Sequence, residues 1–173
     1  MERTLFLEEH EAVTSDRSAR AEAVGRLFDL HHARLYRLAL RMTWGAEDAR
    51  DLVQESFLRA IERPLPDDPA AAERWLVRVL VNLCRDRHRR RVVRRAHADE
   101  ARRDEPAHGS DPGVDAAVRD AVAELPVRQR VVVVLHEIEG HTLAEVAEIL
   151  GIAAVTARWH HHAALKTLRR ELS

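Results

Sequence analysis

Two glycines, Gly140 and Gly151, interrupt an otherwise helical pattern in the C-terminal third of the chain, and they constrain its fold more than any other feature. An apolar stretch runs to Ile138, a short stretch begins at Thr142, and a longer one follows Gly151. Glycine ends helices readily because it adopts left-handed backbone conformations at little cost. Three helices with two tight breaks form the pattern of a helix-turn-helix, a motif that places its last helix in the major groove of DNA.

Two local features of this motif decide where its helices begin. Thr142 followed three residues later by Glu145 is a capping box, which predicts that the middle helix starts at the threonine. The valine run 131–134 is β-branched and is compatible with a strand. Val131, Leu135 and their neighbours also have helical spacing, and no pairing strand is recognisable nearby, so a helix is favoured.

Apolar residues at near-helical spacing predict three amphipathic helices in the N-terminal half. The three sets are Leu27, Leu30, Leu35, Leu38 and Met42; Leu52, Ser56, Phe57, Ala60 and Ile61; and Trp75, Leu76, Val79, Leu80, Leu83 and Cys84. Pro64, Pro66 and Pro69 break the pattern between the second and third sets, because proline does not continue a helix. The segment between Arg63 and Arg74 is therefore predicted to be a loop, and the whole chain to be all-α.

Charge is segregated along the chain, although its 173 residues carry a formal net charge of only −1. Residues 26–98 contain 16 arginines and 10 acidic residues, whereas residues 99–124 contain 3 arginines and 8 acidic residues. The polar stretch 97–113 lacks apolar periodicity, which predicts a flexible linker. The expected organisation is two small helical domains, 26–96 and 114–173, joined by the linker 97–113 and preceded by the acidic segment 1–25.

Several classes of protein are disfavoured. No apolar run approaches the roughly 20 residues that span a bilayer, and no secretory signal is recognisable, so the expected location is cytoplasmic. The single cysteine, Cys84, lies near Leu80 and Leu83 and is predicted to be a buried thiol. No glycine-rich phosphate loop, nucleophile elbow or paired-carboxylate arrangement is recognisable, so neither an enzyme nor a cofactor is expected.

The histidines suggest a metal site only superficially. His136 and His141 are five residues apart and separated by Gly140, so they do not share a helix face. The successive histidines 160–162 point about 100° apart on a helix and do not converge on one ion. Sequence reasoning therefore predicts no metal site.

One face of the third helix is rich in arginine. Its stripe consists of Arg74, Arg78, Asn82, Arg85 and Arg89, at spacings of three and four residues. Most charge runs are solvated helix faces, but seven arginines between Arg85 and Arg95 repel one another unless an anion binds. We favour nucleic-acid binding, in which arginines contact phosphates and Asn82 contacts a base.

The block DLVQESF at 51–57, followed by the helix that contains WLVRVLVN and then by the helix-turn-helix, resembles bacterial RNA polymerase sigma factors. The resemblance is to the small extracytoplasmic-function (ECF) group, which keeps one domain for the promoter −10 element and one for the −35 element. It implies the function of an alternative sigma factor, which binds core RNA polymerase, directs it to promoters and helps to melt the −10 region. An anti-sigma factor is a further implied partner.

The resemblance also assigns roles to residues. It implies that the core polymerase contacts are Asp51, Leu52, Gln54 and Glu55, and that the −10 element contacts the Arg74–Arg89 stripe and a base-capturing loop around Arg63 to Arg74. The implied −35 contacts are Thr156, Arg158, Trp159, His162 and Lys166. Three departures are visible. The loop lacks the family's usual aromatic, glycine and serine residues, and the last helix has His161 where a leucine is usual. The same helix has His160, Ala163 and Leu165 where the family usually has more arginines.

Two other readings remain open. The chain is also compatible with a sigma mimic that sequesters an anti-sigma factor, because its last helix is poor in basic residues, or with a stand-alone helix-turn-helix regulator. The acidic linker is compatible either with a passive tether or with a segment that mimics nucleic acid inside the polymerase. The promoter sequence, the regulon and the inducing signal are not encoded in any pattern we recognise.

Overall fold

The computed structural model describes the backbone of residues 2–43, 45–97 and 115–172, and the side chains of residues 18–43, 45–94 and 115–172. Within these ranges the secondary structure is helical and contains no β-sheet, so the all-α prediction is confirmed. The helices are α1 (Glu2–Thr43), α2 (Ala46–Glu62), α3 (Pro69–His97), α4 (Ala116–Glu124), α5 (Val127–Val133) with a π-helical turn (Val134–Ile138), α6 (Leu143–Leu150) and α7 (Ala154–Glu171).

Helices α1 to α3 pack side by side around a common apolar core. Leu35, Leu38, Val53, Leu76 and Leu80 are its largest fully buried members. Leu30 was predicted on the buried stripe but is 73% exposed. At about 100° per residue it lies at the edge of the stripe that Leu35 and Leu38 define, which explains its exposure.

The predicted loop before α3 is shorter than the prolines suggested. Helix α3 begins at Pro69, so the segment from there to Arg74 is helical and only residues 63–68 are irregular. The Asp68 carboxylate accepts a hydrogen bond of 2.8 Å from the Ala71 N–H, which satisfies one of the unpaired donors at the start of the helix. Proline is favoured in the first turn of a helix because its nitrogen has no hydrogen to leave unpaired.

Helices α4 to α7 form the second half, with the predicted helix-turn-helix at its end. The valine run is helical, as favoured, and continues into the π-helical turn, where the Glu139 N–H donates to the Val134 carbonyl at 3.0 Å. Gly140 (φ 78°) and Gly151 (φ 63°) both have the left-handed backbone that the two breaks require. After Gly151, the Ile152 N–H donates to the Ala147 carbonyl at 3.0 Å, which closes α6 with the bond typical of a glycine cap.

Two of the predicted segments coincide poorly with the described helices. The boundary at residue 25 lies inside α1, because the helix runs from Glu2 without a break and buries Val24 and Leu27. The predicted linker 97–113 lies almost wholly outside the described residues. Within the described part of the chain, none of the helices is both long enough and apolar enough to cross a bilayer.

The two halves pack against each other. Buried residues of both belong to one contiguous apolar cluster. Beside it, the Glu139 carboxylate accepts hydrogen bonds from Arg34 at 3.1 Å and from Arg41 at 2.7 Å, and its side chain is only 6% exposed. Arg130 donates across the same boundary to the Met42 carbonyl at 3.1 Å. We call this arrangement the closed form.

The capping box predicted at Thr142 is confirmed. The Glu145 N–H donates to the Thr142 hydroxyl at 3.2 Å, and the Thr142 N–H donates to the Glu145 carboxylate at 2.7 Å. Hydrogen bonds from the backbone and the hydroxyl of Thr142 lower the pKa of Glu145. Because the pKa of Glu145 is lower in the folded chain than in the unfolded chain, its ionised carboxylate stabilises the fold at a pH above the ordinary pKa of glutamate. This stabilisation is lost as the pH falls through the lowered pKa.

We expect Thr142→Ala to lower the stability of the chain by about 1 kcal/mol, because it removes the hydroxyl that caps α6. For a chain of this length the melting temperature should fall by about 2 to 4 °C, measured by circular dichroism at neutral pH. Thr142→Ser keeps the hydroxyl and is the control. Equal melting temperatures for the alanine and serine variants would contradict the role of the cap.

Candidate nucleic-acid interface

An open groove of about 360 Å³ lies between α2 and α3. Asp51, Leu52 and Glu55 of α2 line it together with Arg59, Leu83, Asp86, Arg87 and Arg90. Asp51 and Glu55 are 56% and 45% exposed at their side chains. Leu52 is buried at the base of the groove, and Gln54 is exposed on the same helix. The four residues predicted to bind a protein partner therefore lie in or beside one groove, whose lining has three acidic and three basic side chains.

Arg87 of α3 holds the two helices of this groove together. It is bonded to Asp48, with the Nε to Oδ1 distance at 3.0 Å, and lies 3.5 Å from the Asp51 carboxylate. The hydrogen bond with Asp48 is the main reason that the pKa of Arg87 is raised. Arg87 is thus engaged within the protein and gives Asp51 a contact between helices. Glu55 instead pairs with the half-buried Arg59 one turn away on its own helix, at 3.0 Å.

The predicted arginine stripe follows one face of α3. Arg74, Arg78, Asn82 and Arg89 are exposed, and Arg85 is half-buried. Arg74 and Arg89 lie 3.8 Å and 3.6 Å from the carboxylates of Asp68 and Asp86, pairs that water screens strongly at this exposure. The stripe therefore presents a mostly accessible row of cations with Asn82 in its middle.

Two members of this stripe touch the second half. The Arg78 guanidinium donates to the Glu148 carbonyl near the end of α6, at 2.8 Å. Arg85 lines a small cavity of about 10 Å³ with Arg128, Val131, Leu150, Ile152 and His160. In the closed form the α3 stripe is thus partly occupied by contacts with α5, α6 and α7.

Arginines continue beyond the stripe to the end of the described part of α3. Arg87, Arg89, Arg90 and Arg94 surround an open depression of about 480 Å³ together with Val93. Val92 and Val93 are each 51% exposed. This end of α3 combines positive charge with an apolar surface, a composition suited to a polyanion that has bases as well as phosphates.

The outer face of α7 is accessible. Arg158, Trp159, His162 and Lys166 are exposed and Thr156 is half-buried, so the structure places the predicted −35 residues on or beside one solvent-facing surface. Trp159 is 62% exposed and packs its ring against His160 at a centroid distance of 5.0 Å. An exposed aromatic ring beside Arg158 is available for stacking on a nucleic-acid base.

One histidine of α7 has a position that the sequence pattern did not predict. His160 is buried at 9% exposure, and burial followed by the charge of Arg128 lowers its pKa. His161 is half-buried on the inner face of α7, near Ala157 and Ala164. The burial of His160 could have been predicted from its spacing. Ala157 and Ala164 lie three and four residues away, and residues at these spacings share a helix face.

Cys84 is buried, as predicted. Burial is the main cause that raises the pKa of its thiol to about 12. At neutral pH the group is therefore protonated and shielded, since the thiolate is the reactive form.

Comparison with known proteins matches both halves of the chain. Residues 27–95 match the family described as Sigma-70 region 2, and residues 115–168 match the family described as Sigma-70, region 4. The chain is 33% identical over 167 residues to the ECF RNA polymerase sigma factor SigL of Mycobacterium tuberculosis, covering 92% of this chain and 94% of that protein. It is 36% identical over 140 residues to SigM of the same species, covering 79% and 70% respectively.

Solved structures share the fold. The sigma factor RpoE of Bartonella quintana, solved in complex with the anti-sigma factor NepR, superposes with a TM-score of 0.69 at 21% identity, covering 86% of this chain and 95% of that one. SigJ of Mycobacterium tuberculosis superposes with a TM-score of 0.57 at 26% identity, covering 83% of this chain and 52% of that one.

Proposed function

The chain belongs to the ECF group of sigma-70 RNA polymerase sigma factors, and from this membership we propose which of its surfaces bind polymerase and which read DNA. As an alternative sigma factor it directs RNA polymerase to promoters; sigma factors are initiation factors rather than enzymes. One observation supports this assignment most directly. The chain has an accessible arginine stripe on α3 and a second accessible face, with Arg158 and Lys166, on α7. We propose that the protein acts in the cytoplasm and associates with the nucleoid while it is bound to polymerase.

Core polymerase binds in the groove between α2 and α3. Asp51, Gln54 and Glu55 supply its accessible polar edge, and Leu52 supplies apolar surface at its base. The carboxylates of Asp51 and Glu55 lie on the α2 side of this groove, and exposed charges of this kind raise the rate of association with an oppositely charged surface more than the final affinity. We assign these four residues to the polymerase contact.

The α3 stripe binds the −10 element. Arg74, Arg78, Arg85 and Arg89 neutralise phosphates, and Asn82 hydrogen bonds to a base exposed when the duplex opens. Removing a base from the stack costs a few kcal/mol, so directional contacts on the opened strand are needed to stabilise it. The short segment 63–68 and the first turn of α3 border this surface and complete the site for the captured base.

The outer face of α7 reads the −35 element in the major groove. Arg158 and Lys166 provide charge, and Thr156, Trp159 and His162 provide hydrogen bonding and stacking. Few cations lie on this face, so we expect specific binding of the free chain to duplex DNA to be weak and salt-sensitive.

The closed form must open for both elements to be read together. The elements are named for positions about 25 base pairs apart, which is about 85 Å of duplex at 3.4 Å per base pair. In the closed form Arg78 of α3 lies 2.8 Å from a carbonyl of α6, which adjoins α7 in the helix-turn-helix. Binding of polymerase therefore separates the halves, and an anti-sigma factor acts by preventing that separation.

The proposed function is tested by a pull-down with core polymerase followed by run-off transcription. A sigma factor binds core polymerase and supports initiation at a defined start. Binding to an anti-sigma factor without core binding would identify a sigma mimic, and tight specific duplex binding without polymerase would identify a stand-alone regulator.

We expect Glu55→Lys to weaken binding to core polymerase about tenfold, which corresponds to about 1.4 kcal/mol. The substitution reverses a charge at the proposed contact and sacrifices only an exposed ion pair with Arg59, which contributes little stability. The affinity is measured by fluorescence anisotropy of labelled sigma. Glu62→Lys makes the same charge change at the far end of α2 and is the control; equal losses for both variants would contradict a local contact.

A further inference from the structure

Three side chains that are distant in sequence converge beside the helix-turn-helix. They are His136 and Glu137 in the π-helical turn and His161 on the inner face of α7. One ligand atom from each lies within 4.8 Å of the other two. Two imidazoles and a carboxylate are a ligand set that zinc uses in proteins, with a further position left for water or another ligand.

The distances are near those that one ion requires. The His161 Nε2 lies 2.6 Å and the His136 Nε2 4.0 Å from the same carboxylate oxygen of Glu137. In a tetrahedral site with bonds of about 2.0 to 2.1 Å, ligand atoms lie about 3.3 Å apart. Small side-chain rotations therefore bring all three atoms to coordinating distance without moving a helix.

A hydrogen bond outside the cluster prepares His136 for coordination. Its Nδ1 lies 2.7 Å from the His141 carbonyl, an oxygen that only accepts hydrogen bonds. Nδ1 therefore carries the proton, and the lone pair of the neutral ring is on Nε2, which faces the cluster. Metal-binding histidines are commonly fixed in this way by a partner at the second nitrogen.

The cluster is accessible to an ion from solvent. The side chains of His136, Glu137 and His161 are 31%, 46% and 17% exposed. The rings of the two histidines meet edge to face at a centroid distance of 4.8 Å, so the two side chains are in direct contact. Nitrogen and carboxylate ligands at this exposure suit Zn²⁺ and related divalent transition metals.

We propose that His136, Glu137 and His161 form a binding site for a divalent transition metal, with zinc as the favoured ion. The bound ion ties the π-helical turn to α7 and so fixes the orientation of the recognition helix relative to the rest of the second half. This site was not predicted from sequence, because the pairing of His136 with His161 across 25 positions leaves no periodic signal.

The site is tested with the full-length protein after removal of metals by chelation. Isothermal titration calorimetry with Zn²⁺ should detect one binding site of micromolar or tighter affinity. Addition of Co²⁺ should produce the visible absorption spectrum of a tetrahedral cobalt complex. His161→Leu, which keeps an inward-facing side chain, should weaken Zn²⁺ binding at least tenfold and abolish the cobalt spectrum. His162→Ala removes an exposed neighbouring histidine and should leave both unchanged.

Glu137→Gln provides a second test that does not depend on packing, because Glu137 is exposed. It should also weaken Zn²⁺ binding at least tenfold while leaving the circular dichroism spectrum unchanged. Absence of binding to the wild-type chain would overturn the proposal and leave a simple hydrogen bond between His161 and Glu137. Binding that persists unchanged in both variants would place the ion on other histidines and would overturn it equally.

Discussion

Glu139→Ala should shift the balance between the closed form and separated halves about 30-fold towards separation, which corresponds to about 2 kcal/mol. Glu139 is the nearly buried carboxylate that accepts hydrogen bonds from Arg34 and Arg41 of α1. Truncating one partner of a buried charged pair at an interface costs about 2 kcal/mol or more. Arg34 keeps its ion pair with Glu73 in this variant, which limits the loss. We take the lower value because the Arg34 side chain is 33% exposed.

The separation is measured by single-molecule energy transfer between dyes on the two halves. The variant should show a larger population with low energy transfer than the wild type shows under the same conditions. Glu171→Ala removes an equal charge at the exposed end of α7 and should behave like the wild type. An unchanged distribution in Glu139→Ala would show that the apolar cluster alone holds the halves together.

Asn82→Ala should reduce open-complex formation about 10- to 100-fold, at promoters with strong and with weak −35 elements alike. The change removes a proposed base contact without removing charge, and such a contact contributes about 1 to 3 kcal/mol. Permanganate reactivity of unpaired thymines measures the opening, and gel shifts at low temperature measure the closed complex. Opening should therefore fail while closed-complex affinity remains close to that of the wild type.

Arg158→Ala provides the matched contrast on the other DNA surface. It should weaken the closed complex and be rescued in part by an improved −10 element, because it acts on duplex binding rather than on melting. If Asn82→Ala and Arg158→Ala gave the same profile, the two surfaces would not have separate roles. If Arg158→Ala left the −35 dependence unchanged, α7 would not read DNA and the sigma-mimic interpretation would gain support.

Local signals in the sequence predicted most of the helices and their ends. The helix that starts at Thr142, the breaks at Gly140 and Gly151, and the helical valine run all depend on neighbours within a few residues. The residues predicted on the outer face of α7 came from the family resemblance, and they lie exposed or half-buried there. The early start of α3 was missed although its signal was present, because Asp68 followed by Pro69 is a favourable helix start as well as a loop sequence.

Contacts between distant residues could not be predicted. The bonds of Glu139 with Arg34 and Arg41 join positions roughly a hundred residues apart, and no periodic pattern connects them. The convergence of His161 with Glu137 depends likewise on how α7 packs across the π-helical turn. Sequence reasoning thus predicted the surfaces that the proposed function uses, whereas the way in which the two halves cover part of the α3 stripe required the structure.

The buried thiol of Cys84 makes this chain convenient for watching the halves separate. Maleimide dyes react with thiolates, and a thiol whose pKa is raised to about 12 by burial supplies almost none near neutral pH. Cys84 is also the only cysteine in the sequence. Cysteines introduced at exposed positions such as Glu62 and Ala144 can therefore be labelled in the otherwise native protein, with the original core packing around Cys84 left intact.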